Sequence, residues 1–290
     1  MVNEKTKAVP PSRARDLFKK EAPMNNLHRE LAPVSANAWK QIEVEAARAL
    51  KQHLAARRVV NIVGPPAGDL SAVGTGHVAP IEPLAEGIQS ALREVKALVE
   101  LRVPFELSRI TIDDIERGAL DPDWTPLKEA MRTIAFAEDR AVFNGYAAAG
   151  IRGIRDVASS RAVPLTSSMK RYADVVARAV GQLRLAGVEG PYVLVLGARP
   201  YAATSGGSDD GYPVSQHLER LVGGGIVWAP AIEGGFVLSL RGGDFELTVG
   251  QDFAIGYSGH STTAVEFYVR ETFTFRMLTA EAAVFLFPAE

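Results

Sequence analysis

The sequence of 290 residues contains no cysteine, which excludes disulfide bonds, thiolate metal sites and a cysteine nucleophile. It also lacks a basic excess: 32 Lys and Arg residues are balanced by 34 Asp and Glu residues, so bulk nucleic-acid binding is not expected. No apolar run reaches the roughly 18 residues of a membrane span. The five histidines are scattered without the spacing of a metal-ligand pair. What is present is an ordinary globular composition, 47% hydrophobic and 23% charged, which predicts one large or two small domains with a sizeable core.

The first 23 residues differ in composition from the rest of the chain. They contain six basic and three acidic residues, a net charge of +3, which leaves −5 for residues 24–290. They include no apolar core of about 7–15 residues, so they do not form a secretory signal. Their polarity and two consecutive prolines predict a flexible tail; a second interpretation is that Met24 is the natural start. A third interpretation is a short amphipathic binding element formed by Leu17, Phe18, Lys19 and Lys20.

Apolar residues that recur every three to four positions predict helices. The first follows Ser35, a good N-cap, and runs to about Arg58, so that two arginines lie in its last turn, where the helix dipole favours cations. The next starts at Thr125 with a proline in its first turn. Two further helices cover residues 169–185 and 214–222, and each is followed by a glycine that can end it.

Alternating apolar residues predict strands, above all over 99–107. Pro104 cannot donate a ladder hydrogen bond, so this strand lies at a sheet edge or pairs on one side only at that point. On the last strand Glu271 shares a face with apolar residues, so its carboxylate needs a partner or access to water. The remaining predicted strands cover residues 192–196, 226–229, 236–240, 245–249, 253–257 and 265–277. Helices and strands mix without regular βαβ alternation, which favours the α+β class.

The sequence shows no catalytic site. The string GYSGH (256–260) resembles a nucleophile elbow, but its last glycine is misplaced and a strand follows, so a hairpin turn is the simpler interpretation. The glycines at 74–76 and 223–225 lack the spacing of a phosphate loop. Glu138 and Asp139, beside a basic residue on a predicted helix, are interpreted as a solvated or paired face.

Several longer strings are specific in their order and spacing. They are LAP (31–33), LVELRVPFELSR (98–109), IDDIERG (112–118), AEDRAVFNGY (137–146), GIRGI (150–154), LAGVEGPYVLVL (185–196), WAPAIEGGFVLSLRGGDFELTVGQDFAIGY (228–257) and ETFTF (271–275). Together they resemble the encapsulins, the linocin-like shell proteins of bacterial nanocompartments, and most closely the actinobacterial kind. The resemblance covers nearly all of residues 24–290.

The resemblance implies the fold of tailed-phage major capsid proteins, named after the Hong Kong 97 phage. This fold has a peripheral domain, an axial domain and an extended loop, and the Gly- and Pro-rich composition of residues 66–98 independently predicts an extended excursion. The implied divisions are a flexible, lumen-facing extension (1–23), an arm and helix (24–65), the extended loop (66–107), the peripheral domain with its long helix (108–149), the axial domain (150–230) and the peripheral strands (231–290). Within the loop, Val99, Leu101 and Val103 are expected to be buried against neighbouring subunits.

The function implied by the resemblance is structural. By this resemblance, roughly 60 copies are expected to close into an icosahedral shell in the cytoplasm. The shell is expected to enclose a cargo enzyme, a dye-decolorising peroxidase or a ferritin-like protein, that carries a C-terminal targeting peptide. The shell itself is expected to be no enzyme and to need no cofactor, metal, nucleic acid or membrane. Two alternatives remain at this point: a true phage capsid protein, and the bacteriocin or protease activity that has been described for linocin-like proteins.

The resemblance also implies a cargo groove between the first helix and nearby strands. Its apolar pocket would hold Leu or Ile side chains of the peptide, and Arg57 would meet the peptide's polar groups unless it only caps the helix. Asn61 stands where other members carry Asp, which weakens an ionic contact with the peptide. The implied groove residues are Leu50, Arg57, Val60 and Asn61 on the helix side, and Phe253, Ile255 and Tyr257 on the strand side.

Two further sites follow from position in the family pattern. A five-fold pore is implied at Ser208, Asp209, Asp210, Gly211 and Tyr212, where a ring of about ten carboxylates would favour cations; the alternative is an ordinary polar loop. Ile110 occupies the place at which flavin-binding members carry Trp, so no flavin is expected. Residues 1–23 would line the interior or compete with cargo for the groove.

Overall fold

The structure, a computed structural model, describes residues 26–64, 70–158, 162–166, 171–206, 208–209 and 212–289. The predicted extension, residues 1–23, lies outside them. The described helices are α1 (Ala36–His53), α2 (Arg109–Glu116), α3 (Thr125–Phe143), α4 (Ile154–Ala158), α5 (Tyr172–Leu185), α6 (Ala198–Gly206) and α7 (Val214–Val222). The described strands are β1 (Asn61–Val63), β2 (Ala72–Ile81), β3 (Ser90–Ala97), β4 (Val99–Ser108), β5 (Val163–Leu165), β6 (Tyr192–Leu196), β7 (Ser208–Asp209), β8 (Tyr212–Pro213), β9 (Gly223–Trp228), β10 (Gly235–Ser239), β11 (Phe245–His260), β12 (Ala264–Met277) and β13 (Ala283–Pro288).

A four-stranded sheet in the order β1-β11-β12-β4 forms one half of the fold. Its long strands β11 and β12 pair antiparallel, and the strand containing Pro104 lies at the edge, as the proline predicted. Helices α1 and α3 pack against this sheet. Trp39 of α1 meets Phe267 of β12 edge-on, with 5.4 Å between ring centroids, and Ile42 and Met131 are fully buried beside them. The apolar face predicted for the first helix is therefore the face that contacts the sheet.

A five-stranded sheet in the order β5-β13-β10-β6-β9 forms the second half, with α5 and α7 packed on it. Its strands β6 and β10 are buried along their whole length, which explains their continuous apolar sequences. The predicted elements 192–196 and 214–222 coincide with β6 and α7. Gly223 ends α7 in the left-handed conformation, with φ of 78°.

Strands β2 and β3 form a separate two-stranded antiparallel sheet, so residues 72–97 of the predicted excursion form a long hairpin. In the part of this hairpin that the structure describes, no side chain is fully buried. Register pairs Ala79 with Leu92 on one face and Val78 with Arg93 on the other. Exposed apolar side chains lie on both faces and at the tip: Val78, Ile81, Leu84, Ile88, Leu92 and Val95.

The first helix ends at His53, and the prediction that it continues to about Arg58 is wrong. The Asp139 carboxylate of α3 accepts hydrogen bonds from the backbone N–H of Ala55, at 3.1 Å, and of Ala56, at 2.8 Å. These donors would otherwise continue the helix by bonding to carbonyls one turn back. The chain instead turns into a separate 3-10 segment, Ala56–Arg58.

Candidate peptide-docking groove

A surface groove of about 290 Å³ lies between α1 and the strands β11 and β12. Of the residues predicted for the cargo site, the structure brings Leu50, Phe253 and Ile255 together here. The lining also includes an ion pair between Arg29 and Glu43, with 2.7 Å between nitrogen and oxygen. The complete lining is Arg29, Glu43, Ala46, Ala47, Leu50, Met131, Phe253, Ala254, Ile255 and Val269. A groove with this lining can accept small aliphatic side chains of an extended peptide.

Arg57 does not face this groove as a free donor, which corrects the role predicted for it. Each of its three guanidinium nitrogens already donates within the chain: Nε and Nη2 to Glu138, Nη1 to Asp252 at 2.7 Å and Nη2 also to Glu271 at 3.2 Å. Its guanidinium carbon lies 4.4 Å from the centroid of the Phe253 ring. The alternative of a helix cap is also wrong, because α1 ends before Arg57. Arg57 therefore packs against Phe253, which forms part of the groove wall.

The acids around Arg57 form a buried cluster. Glu138, Asp139 and Glu271 are fully buried, so the solvated interpretation of the first two is wrong. The paired interpretation is confirmed for Glu138, which pairs with Arg57, whereas Asp139 accepts backbone hydrogen bonds instead. Glu271 finds the partner that its apolar face required, although its Oε1 has no hydrogen-bond partner among the described residues. Burial by itself lowers the pKa of Arg57, but Glu138 and Asp252 outweigh it and hold that pKa above its usual value. The cluster thus locks α3, β12 and the turn after α1 together.

Burial also raises the pKa of two acids of this cluster, Asp139 and Glu271. It raises the pKa of Asp139 to about 7, against the hydrogen bonds from Ala56 and Ala55 that favour the carboxylate. It raises the pKa of Glu271 well above its ordinary value, and the neighbouring Glu138 carboxylate acts in the same direction. Both groups therefore bind protons more tightly in the folded chain than in the unfolded chain.

A pH dependence follows from these two acids. Above about pH 4 the folded chain holds protons that the unfolded chain has released, so the contribution of these acids to stability falls as the pH rises; for Asp139 this window ends near pH 7. Glu271→Gln resembles the protonated carboxyl, and we expect it to flatten the slope. Thermal unfolding midpoints at several pH values test this, with Glu129→Gln, at an exposed glutamate of α3, as the control. An equal slope in Glu271→Gln and wild type would contradict the assignment.

The other predicted groove residues lie elsewhere. Val60 and Asn61 line a separate depression of about 160 Å³ beside β1 and the start of β11. Tyr257 lies two residues beyond Ile255 on β11, where its backbone N–H donates to the carbonyl of Leu27 at 2.8 Å. It therefore contacts the N-terminal arm at the end of the groove, and the structure divides the predicted set into these separate places.

The remaining predicted sites can be placed as follows. Val99, Leu101 and Val103 are on β4, half-buried against the chain's own core, and not on the hairpin, which ends at Ala97. The apolar side chains that the hairpin exposes are instead the residues given above. The string GYSGH is the end of β11, and the turn follows it, so the elbow geometry is absent there. Ile110 is exposed in the first turn of α2.

For the pore, the structure describes backbone pairing only. Ser208 pairs with Pro213 and Asp209 with Tyr212, so β7 and β8 form a short hairpin between α6 and α7. Asp210 and Gly211 lie outside the described residues. The ring of carboxylates stays a prediction.

The comparisons with known proteins agree with the fold. The linocin M18 family model, described as "Encapsulating protein for peroxidase", matches residues 24–274. A relative from Rhodococcus erythropolis, named type 1 encapsulin shell protein, is 52% identical over 263 residues, which cover 91% of this chain and 100% of the relative. The chain belongs to the encapsulin shell protein family. The relative is named as a shell protein and not as an enzyme, in agreement with the absence of a recognisable catalytic motif.

Solved structures show how widely the encapsulin fold is shared. The virus-like particle of Pyrococcus furiosus matches with a TM-score of 0.60 and 17% identity, covering 86% of this chain and 98% of the other. The capsid of Myoviridae phage XM1 matches with a TM-score of 0.52 and 10% identity, covering 81% and 92%. These likenesses confirm the predicted phage capsid fold. The much higher identity to an encapsulin disfavours the phage alternative.

Among the described residues, no helix is both long and apolar enough to span a membrane. Over the same ranges, histidines and acidic residues form no group that could hold a metal ion. The acids of the buried cluster surround a guanidinium instead. Sequence reasoning did not predict that Glu138 would bind Arg57 or that Asp139 would bind the backbone after α1. The one signal available was that these two acids lie between apolar positions of α3.

Proposed function

We propose that copies of this chain assemble into a closed shell of roughly 60 subunits in the bacterial cytoplasm. The observation that carries this is the β2–β3 hairpin, whose exposed apolar residues lie on both faces and belong to neither hydrophobic core of the described residues. An isolated two-stranded hairpin is marginally stable in water, so these faces need a partner surface. Sedimentation of the purified chain tests the proposal: a megadalton species supports it, and a species of 31.1 kDa contradicts it.

The proposed cargo is a peroxidase whose C-terminal peptide docks in the groove, with a ferritin-like protein as the second candidate. The family description names encapsulation of a peroxidase. The groove supports peptide docking because its walls are largely aliphatic and aromatic. Glu43 and Asp252 are half-exposed near its edges, which favours a peptide with a basic residue beside its apolar ones. The docked peptide would hold the enzyme against the wall of the shell.

Filling the groove is expected to block cargo loading. Ala47 is exposed and lines the groove, so Ala47→Trp inserts a large ring into the groove without disturbing the core. The reporter is a fluorescent protein carrying the C-terminal segment of a peroxidase from the same organism. We expect roughly tenfold less reporter per purified shell, equivalent to about 1.4 kcal/mol of docking free energy.

The matched control is Ala36→Trp, which adds the same ring at another exposed alanine, the first residue of α1, which does not line the groove. It is expected to load reporter like the wild type. Equal loading of the reporter by the Ala47→Trp and Ala36→Trp shells would rule out this groove as the docking site.

A further inference from the structure

The N-terminal arm is fixed directly beside the groove. The hydroxyl of Tyr268 donates to the carbonyl of Asn26 at 2.9 Å, and the backbone N–H of Tyr257 donates to the carbonyl of Leu27 at 2.8 Å. Two residues further on, Arg29 is itself part of the groove lining. The described part of the chain therefore begins, at Asn26, beside the groove.

The preceding segment has the chemistry that the groove selects. Leu17 and Phe18 form an apolar pair followed by Lys19 and Lys20. The groove offers apolar walls, and carboxylates at Glu43 and Asp252 are half-exposed near its edges. Residues 1–23 carry a net charge of +3 against −5 for the rest of the chain, so the two parts attract each other.

The tether is long enough for this contact. Phe18 precedes Asn26 by eight residues, and an extended chain covers up to roughly 26 Å over that length. The family model begins only at residue 24, and the Rhodococcus relative is matched along its full length by 263 residues of this chain. The segment is thus an addition to the part of the chain that the relatives share.

We propose that residues 1–25 are a built-in ligand of the groove, with Leu17 and Phe18 against the apolar walls and Lys19 and Lys20 near Glu43 and Asp252. Because the ligand is tethered, its effective concentration at the groove is in the millimolar range. A cargo peptide must displace it, so the apparent affinity for cargo is lowered by the fraction of grooves that are occupied. This competition rests on the proposed docking function of the groove, whereas occupation of the groove by the segment does not.

Photo-crosslinking of the full-length assembled protein tests occupation without any cargo. A benzophenone amino acid replaces Phe18, and crosslinked peptides are mapped by mass spectrometry. We expect adducts on Met131 or on residues 253–255, and their loss when Ala47→Trp fills the groove. Crosslinks confined to other surfaces, or adducts unaffected by Ala47→Trp, would overturn the proposal.

Reporter loading tests the competition. Deletion of residues 2–23, or Leu17→Asp combined with Phe18→Asp, is expected to raise loading about two- to tenfold. The matched control combines Ala8→Asp with Val9→Asp, which adds the same charge elsewhere in the segment, and it should raise loading less than the pair at 17 and 18. If crosslinks map to the groove but both pairs load like wild type, the competition is refuted while occupation stands. If Ala47→Trp also leaves loading unchanged, the docking function itself has failed.

Discussion

Replacing Arg57 with methionine is expected to destabilise the folded subunit by about 3–5 kcal/mol, because it removes the cation that bonds to the buried acids Glu138 and Glu271. Glu138 and Glu271 are fully buried and would be left without an ionic partner. We expect water to enter the core between α3 and β12, because the buried acids lose the guanidinium that satisfied them. Thermal unfolding of the purified protein and its soluble yield measure the loss.

The chain offers a matched control one residue away. Arg58→Met makes the same substitution in the same 3-10 segment at an exposed side chain, and its expected effect is small. Adding Glu271→Gln to Arg57→Met removes one buried acid and should recover part of the stability. Arg57→Lys keeps the charge but not the planar guanidinium, so its unfolding temperature should lie between those of Arg57→Met and Arg58→Met. The account of the cluster would be wrong if Arg57→Met and Arg58→Met unfolded at the same temperature.

Replacing Leu92 with aspartate on the β2–β3 hairpin is expected to abolish shell formation while the subunit stays folded. Leu92 is 62% exposed in the subunit, so the substitution costs the isolated chain little. Burying a leucine contributes about 1.5–3 kcal/mol, and burying an unpaired carboxylate instead adds a larger penalty. A closed shell repeats this penalty in every subunit, so a modest local change prevents assembly.

Two measurements check this prediction. Size-exclusion chromatography is expected to move from the void volume to small species, and the far-UV circular dichroism should remain that of the wild type. Leu92→Ile, which keeps the apolar side chain at the same place, should still assemble. Normal shells from Leu92→Asp would show that this face of the hairpin is not a subunit contact.

Local sequence patterns predicted the helices and strands that neighbouring residues determine. The apolar run of β6, the periodicity of α7 with its terminal glycine, and the edge position of Pro104 all follow from neighbouring residues. The end of α1 does not, because Asp139 lies 84 residues away from the N–H of Ala55 that it binds. Two predicted strands are one strand, β11, because irregular register near Gln251 interrupts the alternation of its side chains.

The same distinction between local and distant causes applies to the residues of the candidate site. Leu50, Phe253 and Ile255 could be placed together because a resemblance to a known family carried their positions, and their apolar character suits a groove wall. Arg57 was misassigned because nothing adjacent in sequence reveals that Glu138 and Glu271 converge on it from two distant elements. Contacts of this kind depend on the tertiary arrangement of α3 and β12, which no short pattern encodes.

The central claim is that this chain builds a closed container from copies of itself. Electron microscopy of the purified full-length protein, on the fraction isolated by size-exclusion chromatography, tests it most directly. The account predicts uniform, closed, icosahedral particles of roughly 60 subunits. A soluble monomer or dimer as the stable form would contradict it.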